Sequence, residues 1–241
     1  MKTLPRMLRP ILAVALMAAL PAQAGPVVVN GWASPEPVTT VRIRNANPSL
    51  QSQFVHAAGF SAVENATNMF VAWCVDIFQP TRFGSTVHDF SLTSGQDYFG
   101  LQPERADLLG RLATRAFGDA LTGGVNAGAF QLAIWEIVNE KNDVLDLGSG
   151  NFGASRASDG SIALAQEWLS SLPTLSRYSF DVLASPTHQD LAVFRALPSP
   201  LRSAQANGVP EPGTLALSAL AFGGLVALRR RRSASGLSAA V

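Results

Sequence analysis

The sequence has 241 residues, of which 47% are hydrophobic and 15% charged, and its formal net charge is +1 at neutral pH. The positive excess lies at the two ends, because residues 25–208 contain 11 Lys or Arg and 16 Asp or Glu, a net charge of −5. That stretch is long enough for one domain with a sizeable core. It contains no basic patch, which excludes nucleic acid as a partner.

The N-terminus has the three regions of a secretory signal peptide. Basic residues Lys2, Arg6 and Arg9 precede an apolar stretch over residues 11–20, and a small-x-small cleavage site ends at Ala24. The apolar stretch is far shorter than the roughly 20 residues that a membrane-spanning helix needs. We therefore expect residues 1–24 to be a signal peptide and the protein to be exported.

Runs of β-branched and aromatic residues predict strands. The predicted strands before the helical part cover residues 27–30, 38–44, 53–60, 69–78 and 87–92. The strongest is 69–78, which carries the only cysteine of the chain, Cys74, and we expect 87–92 to pair with it through a loop that contains Pro80 and Gly84. Two further strands are predicted at residues 175–183 and 190–197.

Three helices are predicted between these two groups of strands. The first begins at Pro103 and ends near Gly118, and the third is capped by Asp159 and stopped by Pro173. The second covers residues 127–140, with an apolar face formed by Phe130, Ile134, Ile137 and Val138. Residues 148–158, rich in Gly, Ser and Asn, are predicted to form a loop. Strands around a helical insert predict an α+β domain over residues 25–197, a small antiparallel sheet or sandwich with helices packed on one side.

Two sequence motifs carry a thiol and a carboxamide, respectively. The strand contains Trp73-Cys74-Val75-Asp76 and the second helix contains Gln131-Leu132-Ala133-Ile134-Trp135. A thiolate held against a carboxamide in a dry site can expel ammonia and form an intramolecular thioester. Such a bond would cap a thiol that is otherwise a liability in an oxidising compartment.

In their order and residue types, these motifs resemble the thioester domains of bacterial surface adhesins. The resemblance implies a thioester between Cys74 and Gln131, with Trp73, Asp76 and Trp135 supporting the site. The bond is expected to react once, with an amine or hydroxyl of a surface partner, so the protein is expected to be a covalent binder and not an enzyme.

Cys74 also has two other interpretations. An unpaired cysteine in an apolar strand is often simply part of the core. A hydrolase with a Cys74 nucleophile, a histidine base and an aspartate is open as well, because such triads assemble in space and not in sequence. The three histidines (His56, His88 and His188) lie in separate elements, so we expect no zinc site and no cofactor.

The C-terminal part has its own organisation. Residues 198–208, with two prolines and a polar run, are predicted to form a linker. An apolar run over residues 213–228, about 24 Å long as a helix, is predicted to enter the inner membrane. The arginines that follow it fix its C-terminal end in the cytoplasm, with residues 233–241 as a tail. Flanking the run are Val209-Pro210-Glu211-Pro212 and Arg229, Arg230, Arg231 and Arg232.

These features, in this order, resemble the PEP-CTERM sorting signal of exopolysaccharide-producing Gram-negative bacteria, which covers residues 209–232 here. The resemblance implies recognition by an exosortase, transient anchoring in the inner membrane, and transfer to the cell surface or extracellular matrix. An ordinary C-terminal anchor is the alternative for this segment. For the whole protein, we predict a sorted surface or matrix protein with a thioester. The alternative is a non-covalent structural or interaction protein of the exopolysaccharide biofilm matrix, with Cys74 as buried core.

Overall fold

The structure, a computed structural model, describes residues 22–34, 37–45, 51–141 and 144–198. Within these residues the chain is a mixed α+β domain. Its strands are β1 (Ala22–Gln23), β2 (Val27–Trp32), β3 (Thr39–Asn45), β4 (Gln51–Ala57), β5 (Phe60–Glu64), β6 (Asn68–Cys74), β7 (Thr86–Val87), β8 (Ser91–Ser94), β9 (Phe152–Ser155), β10 (Tyr178–Ala184) and β11 (Leu191–Ala196). Its helices are α1 (Gly95–Phe99), α2 (Pro103–Ala120), α3 (Gly124–Asn139) and α4 (Ser161–Ser170).

The described strands form two antiparallel sheets. The larger one is curled and has eight strands in the order β1-β8-β10-β11-β6-β5-β2-β7. The smaller one has three strands in the order β4-β3-β9. The predicted α+β class is therefore confirmed, with more strands than the sequence pattern indicated.

The predicted strand over residues 53–60 is in fact two strands in different sheets. Strand β4 belongs to the small sheet and β5 to the large one, and the chain turns between them at Ala58 and Gly59. A Cβ atom at Gly59 would lie 3.0 Å from the ring of Trp73. A larger residue would press on this indole, so glycine lets the turn pack closely on the core.

The predicted pairing of residues 87–92 with the Cys74 strand is wrong. Strand β7 pairs with β2, β8 pairs with β1 and β10, and β6 is flanked by β5 and β11. The Cys74 strand is also shorter than predicted, because β6 ends at Cys74 and not at residue 78. Consequently Asp76, which the pattern placed on the same strand face as Cys74, lies in the loop beyond the strand.

Helices α2 and α4 follow their sequence signals closely. Pro103 occupies the first turn of α2, where its missing N–H removes no helical hydrogen bond. Asp159 accepts a hydrogen bond from Ser161 N (3.0 Å), although the cap position itself is Gly160 at φ +87°. The Gly-rich loop between α3 and α4 contains strand β9, which the composition did not predict and which pairs with β3. The short helix α1 was also not predicted.

Helix α3 is the centre of the core. It packs against α2 and α4 and also contacts β3, β4, β6 and β9. Every residue from Ala127 to Ile137 is buried, whereas the apolar periodicity predicted one buried face. A helix surrounded on all sides can carry its few polar side chains only where each finds a partner.

Helix α3 comes closest to the small sheet at Gly128. A Cβ atom there would lie 2.1 Å from Thr39 Oγ1. Thr39 in turn donates a hydrogen bond to Asp159 Oδ2 (2.6 Å), which joins β3 to the start of α4. Glycine at position 128 therefore sets how deep α3 lies against β3.

Several predictions fall outside the described residues. These are most of the signal peptide (residues 1–21), the membrane helix at 213–228, the sorting motif with Val209, Pro210, Glu211 and Pro212, the cluster Arg229 to Arg232 and the tail. In the part of the chain that the structure describes, no helix combines the length and apolar character needed to cross a membrane.

Candidate functional site

The late start of β5, at Phe60, creates the site around Cys74. Pairing between β5 and β6 stops at Phe60 and Ala72, while pairing between β6 and β11 continues to Cys74. Val75 N donates to Asp190 O (3.0 Å) on the β11 side. Because successive residues of an antiparallel strand direct their backbone groups to opposite sides, the N–H and C=O of Cys74 face the β5 side, at a level that β5 does not reach.

The side chain of Gln131 takes the place of the missing strand. Cys74 N donates to Gln131 Oε1 (3.0 Å), and Gln131 Nε2 donates to the Cys74 carbonyl (2.7 Å). Gln131 is 0% exposed and Cys74 1% exposed, so this contact is fully shielded from water. The two residues, 57 positions apart in the sequence, are thus brought together with the carboxamide lying along the Cys74 backbone.

The thiol of Cys74 is free in this structure. Its Sγ donates to the carbonyl of Asp76 (2.8 Å), which also accepts from Gln189 Nε2 (2.8 Å). The Asp76 carboxylate accepts instead from Phe78 N (2.7 Å). Asp76 therefore contacts the thiol through its backbone, while its side chain stabilises the turn.

Burial raises the pKa of the Cys74 thiol well above its usual value. The indole of Trp135 opposes this shift, and the negative charges of Asp76 and Asp190 add to it. Burial also raises the pKa of Asp190, whose carboxylate accepts from Tyr98 OH (2.7 Å) and Ser185 N (2.8 Å). The thiol is therefore protonated at neutral pH, so its proton must leave as the sulfur forms a new bond.

The two tryptophans of the sequence motifs lie on different sides of this strand. Trp135 lines the same pocket as Cys74 and Gln131. Trp73, adjacent to Cys74 on β6, projects to the opposite face and packs edge-on against Phe130 (ring centroids 4.7 Å apart). Trp135 is thus placed to control access to the thiol, whereas Trp73 supports the strand from behind.

The pocket that leads to Cys74 has a volume of about 330 Å³. Its outer walls come from residues that carried no motif: Trp32 on β2, His56 on β4, Phe60 on β5, Phe83 and Thr81 in the loop after β6, and Gln189. Periodicity marks such residues as apolar or polar but does not show that five separate segments converge. Only the strand order of the two sheets places them around one opening.

The structure provides little support for other chemistries. Of the three histidines, only His56 lines the pocket with Cys74, and its Nδ1 lies 3.2 Å from Thr40 Oγ1 and not beside a carboxylate. His188 and Asp89 form a separate cluster with Thr187. Across the described ranges, no group of three or more His, Cys, Asp or Glu side chains is arranged to hold a metal ion.

Comparison with known proteins assigns the C-terminal segment. Residues 208–232 match the family model of the PEP-CTERM protein-sorting motif. This segment is a sorting signal. The motif implies export, membrane-anchored processing by an exosortase, and a destination at the cell surface or outside the cell. It agrees with the assignment of Pro210, Glu211 and Pro212 made from the sequence.

The remaining comparisons concern the folded domain. No curated protein matches the chain. Among solved structures, the N-terminal domain of the Streptococcus pyogenes pilus tip adhesin Cpa matches with a TM-score of 0.41 and 12% sequence identity. That match covers 71% of this chain and 100% of the adhesin domain.

Proposed function

We propose that the exported protein is a covalent binder that uses a thioester between Cys74 Sγ and Gln131 Cδ. The observation that carries this proposal is the docking of the Gln131 carboxamide on the Cys74 backbone by two buried hydrogen bonds. These bonds hold the Gln131 carboxamide on the residue that carries the thiol, so less freedom has to be lost when the two side chains react.

The same contact supports formation of the bond. Sγ attacks Cδ, the C–N bond breaks, and the thiol proton leaves with the nitrogen as ammonia. The negative charge of the intermediate develops on Oε1, which already accepts from the Cys74 N–H (3.0 Å). A donor aimed at a developing oxyanion in a dry site stabilises the transition state and not only the ground state.

The thioester then reacts once with a partner. A nucleophile that enters through the pocket attacks Cδ, the C–S bond breaks, and the thiol of Cys74 is regenerated while the partner stays bound to Gln131. Trp135 at the pocket limits hydrolysis by excluding water. Because Gln131 is consumed, the protein is a stoichiometric binder and not a turnover enzyme, and it needs no cofactor.

The sorting signal supports a proposal for where the protein acts. We infer that residues 213–228 hold the precursor in the inner membrane of a Gram-negative bacterium until exosortase processing. The domain then reaches the surface or an exopolysaccharide matrix, where it contacts polysaccharide or other surface partners. In cells with an active exosortase, the mature protein lacks residues 213–241; full-length protein retained in the inner membrane of such cells contradicts this.

The test of the thioester is the intact mass of the purified protein, kept mildly acidic and free of amines. We expect a mass lower than that of the sequence by one ammonia, which rises by one methylamine on treatment and is carried by Gln131 in peptide mapping. Cys74→Ala should have the full sequence mass and form no adduct. An adduct that persists in Cys74→Ala rules out the proposal.

One observation favours a second function, a non-covalent structural or interaction protein of the matrix. The Cys74 thiol is 1% exposed and donates to the Asp76 carbonyl, as a core thiol does. Thiol labelling after denaturation separates the two functions. Stoichiometric labelling without prior nucleophile favours the structural protein, and absence of a labelled thiol favours the thioester.

A further inference from the structure

The pocket above Cys74 and Gln131 has aromatic walls. Trp32 and Phe60 are stacked, with ring centroids 5.3 Å apart and planes at 21°. Phe83 stands at right angles to Trp32 (5.0 Å, 87°), and the ring of His56 lies edge-on to Trp32 at 5.8 Å. Aromatic surfaces at the mouth of a concave site are binding surfaces for flat or ring-shaped ligands with apolar faces.

The aromatic wall is held in place by the backbone. Gly84, next to Phe83, adopts φ +74° and donates its N–H to Val29 O (2.9 Å) on β2. This bond fixes the loop after β6 against the strand that carries Trp32. Phe83 nevertheless remains 45% exposed, so the wall is preformed and open to solvent.

The lining of the pocket carries no fixed charge. Among the described residues that form it, none has a carboxylate, ammonium or guanidinium group. A charged ligand would lose its hydration there without gaining a counter-charge. Its polar side chains include two hydrogen-bonding groups near the opening: Thr81, which donates to Gln189 Oε1, and His56, paired with Thr40. This combination fits an uncharged ligand with several hydroxyl groups.

From these observations we propose that the pocket binds a neutral sugar ring and presents one of its hydroxyl groups to the thioester. The apolar face of the ring packs on Trp32 and Phe83, and its hydroxyls bond to the polar side chains. The volume of about 330 Å³ lies at the lower end of the range for small-molecule pockets, which suits one ring of a longer chain. The transfer step rests on the proposed thioester, whereas sugar binding does not.

His56 is the general base of this transfer. A hydroxyl group is a poor nucleophile unless its proton is removed during attack, whereas a free amine needs no such help. Apart from Cys74, His56 is the one titratable side chain in the described lining. The hydroxyl oxygen attacks Gln131 Cδ, His56 takes the proton, the C–S bond breaks, and the proton passes to the Cys74 thiolate. The product is an ester between the sugar and the Gln131 acyl group.

Binding is tested on the Cys74→Ala full-length protein in detergent, where no thioester can form. Saturation-transfer NMR with methyl glycosides of neutral hexoses should show transfer to the ring protons. Phe83→Ala should reduce this transfer at least fivefold, and Trp32→Ala should abolish it. Phe78→Ala is the matched control, since Phe78 is an exposed aromatic of the same loop that does not line the pocket. Absence of transfer from every glycoside overturns the proposal, as does an equal loss in Phe78→Ala.

Transfer is tested on the protein with Cys74 intact, by intact mass after incubation with a methyl glycoside or with methylamine. His56→Gln should lower the rate of ester formation by about 100-fold, the lower limit of general-base contributions, and leave the methylamine rate within a factor of about three. Equal losses with both nucleophiles would show a structural role for His56 and overturn its assignment as base.

The two proposals fail in different ways. If methylamine adducts form and no glycoside ester does, the proposal of a sugar hydroxyl as nucleophile is wrong, whereas the thioester proposal is supported. If glycosides bind to Cys74→Ala but the Cys74-containing protein has its full sequence mass, the thioester proposal is wrong, whereas the sugar-binding pocket is supported. Preferential binding of a lysine-containing peptide over the glycosides overturns the sugar assignment alone.

Discussion

Two glutamines of this domain each bind a neighbouring backbone segment through both ends of the carboxamide. Only one of them is proposed to form a covalent bond. Gln131 accepts from Cys74 N (3.0 Å) and donates to Cys74 O (2.7 Å). Gln166 on α4 accepts from Leu147 N (3.0 Å) and donates to Leu145 O (3.0 Å) in the loop before β9. A carboxamide that replaces backbone pairing is therefore an ordinary structural device. Of the two, only Gln131 has a thiol and a pocket beside it, and the proposed thioester depends on both.

The largest expected difference between the two glutamines is in the covalent incorporation of methylamine. Gln131→Ala should abolish methylamine incorporation completely, because it removes the acyl donor. Gln166→Ala, with the same bonds but no thiol nearby, should incorporate methylamine as the parent protein does. Intact mass and peptide mapping measure both. Incorporation at Gln166, or its survival in Gln131→Ala, would contradict the difference between the two sites.

The second effect is on stability. The stability variants are compared in the Cys74→Ala background, where no thioester forms and the carboxamide is retained. There Gln131→Ala leaves the N–H and C=O of residue 74 buried without partners, so we expect a loss of roughly 2–5 kcal/mol in the free energy of unfolding. Gln166 is only partly buried, so water can replace its bonds, and Gln166→Ala should cost about 1 kcal/mol. Urea denaturation monitored by circular dichroism compares the two. Equal losses would show that burial does not distinguish these glutamines.

A third prediction concerns the segment between the two glutamines. Glu136 Oε1 accepts from Asp146 N (2.7 Å), so Glu136 and Gln166 together hold loop residues 145–147. Glu136 is 0% exposed, and its Oε2 has no hydrogen-bond partner among the described residues. Burial raises the pKa of Glu136 to about 7, against the opposing effect of the Asp146 N–H.

Because this pKa is higher in the folded than in the unfolded chain, the folded state binds more protons between pH 4.5 and about 7. Stability should therefore fall as pH rises through this window, by about 2–3 kcal/mol. Glu136→Gln should lack this slope. Glu167→Gln, at a side chain 64% exposed, is the control and should retain it. Urea titrations at pH 4.5, 6 and 8 measure the slope; a parent protein without one contradicts the prediction.

The smallest expected effect is that of Gln189→Ala. This substitution removes the Gln189 donor to the Asp76 carbonyl, which accepts from the free Cys74 thiol before the thioester forms. Because Gln189 is partly exposed, we expect the free energy of unfolding to fall by less than about 1 kcal/mol. The final yield of methylamine adduct should be undiminished. Complete loss of the adduct would mean that Gln189 is part of the reactive pair.

The sequence predicted the pairing of Cys74 with Gln131 better than the surroundings of that pair. Strand character around Cys74 and helix periodicity around Gln131 are local properties, so they placed both residues on the correct elements. The aromatic wall could not be predicted, because Trp32, Phe60 and Phe83 come from separate segments that only the strand order brings together. Strand β9 was missed because its glycine-rich stretch is typical of loops, and it is a strand only through its pairing with β3.

The late start of β5 has a consequence for how such a site arises. If β5 began two residues earlier, at Ala58, its backbone would pair with the N–H and C=O of Cys74, and Gln131 would have no groups to bind. The position at which β5 begins thus decides whether the Cys74 backbone pairs with a strand or with Gln131. Insertions or deletions at the Ala58 and Gly59 turn, which touch neither Cys74 nor Gln131 in sequence, are therefore a simple route by which related chains could gain or lose this contact.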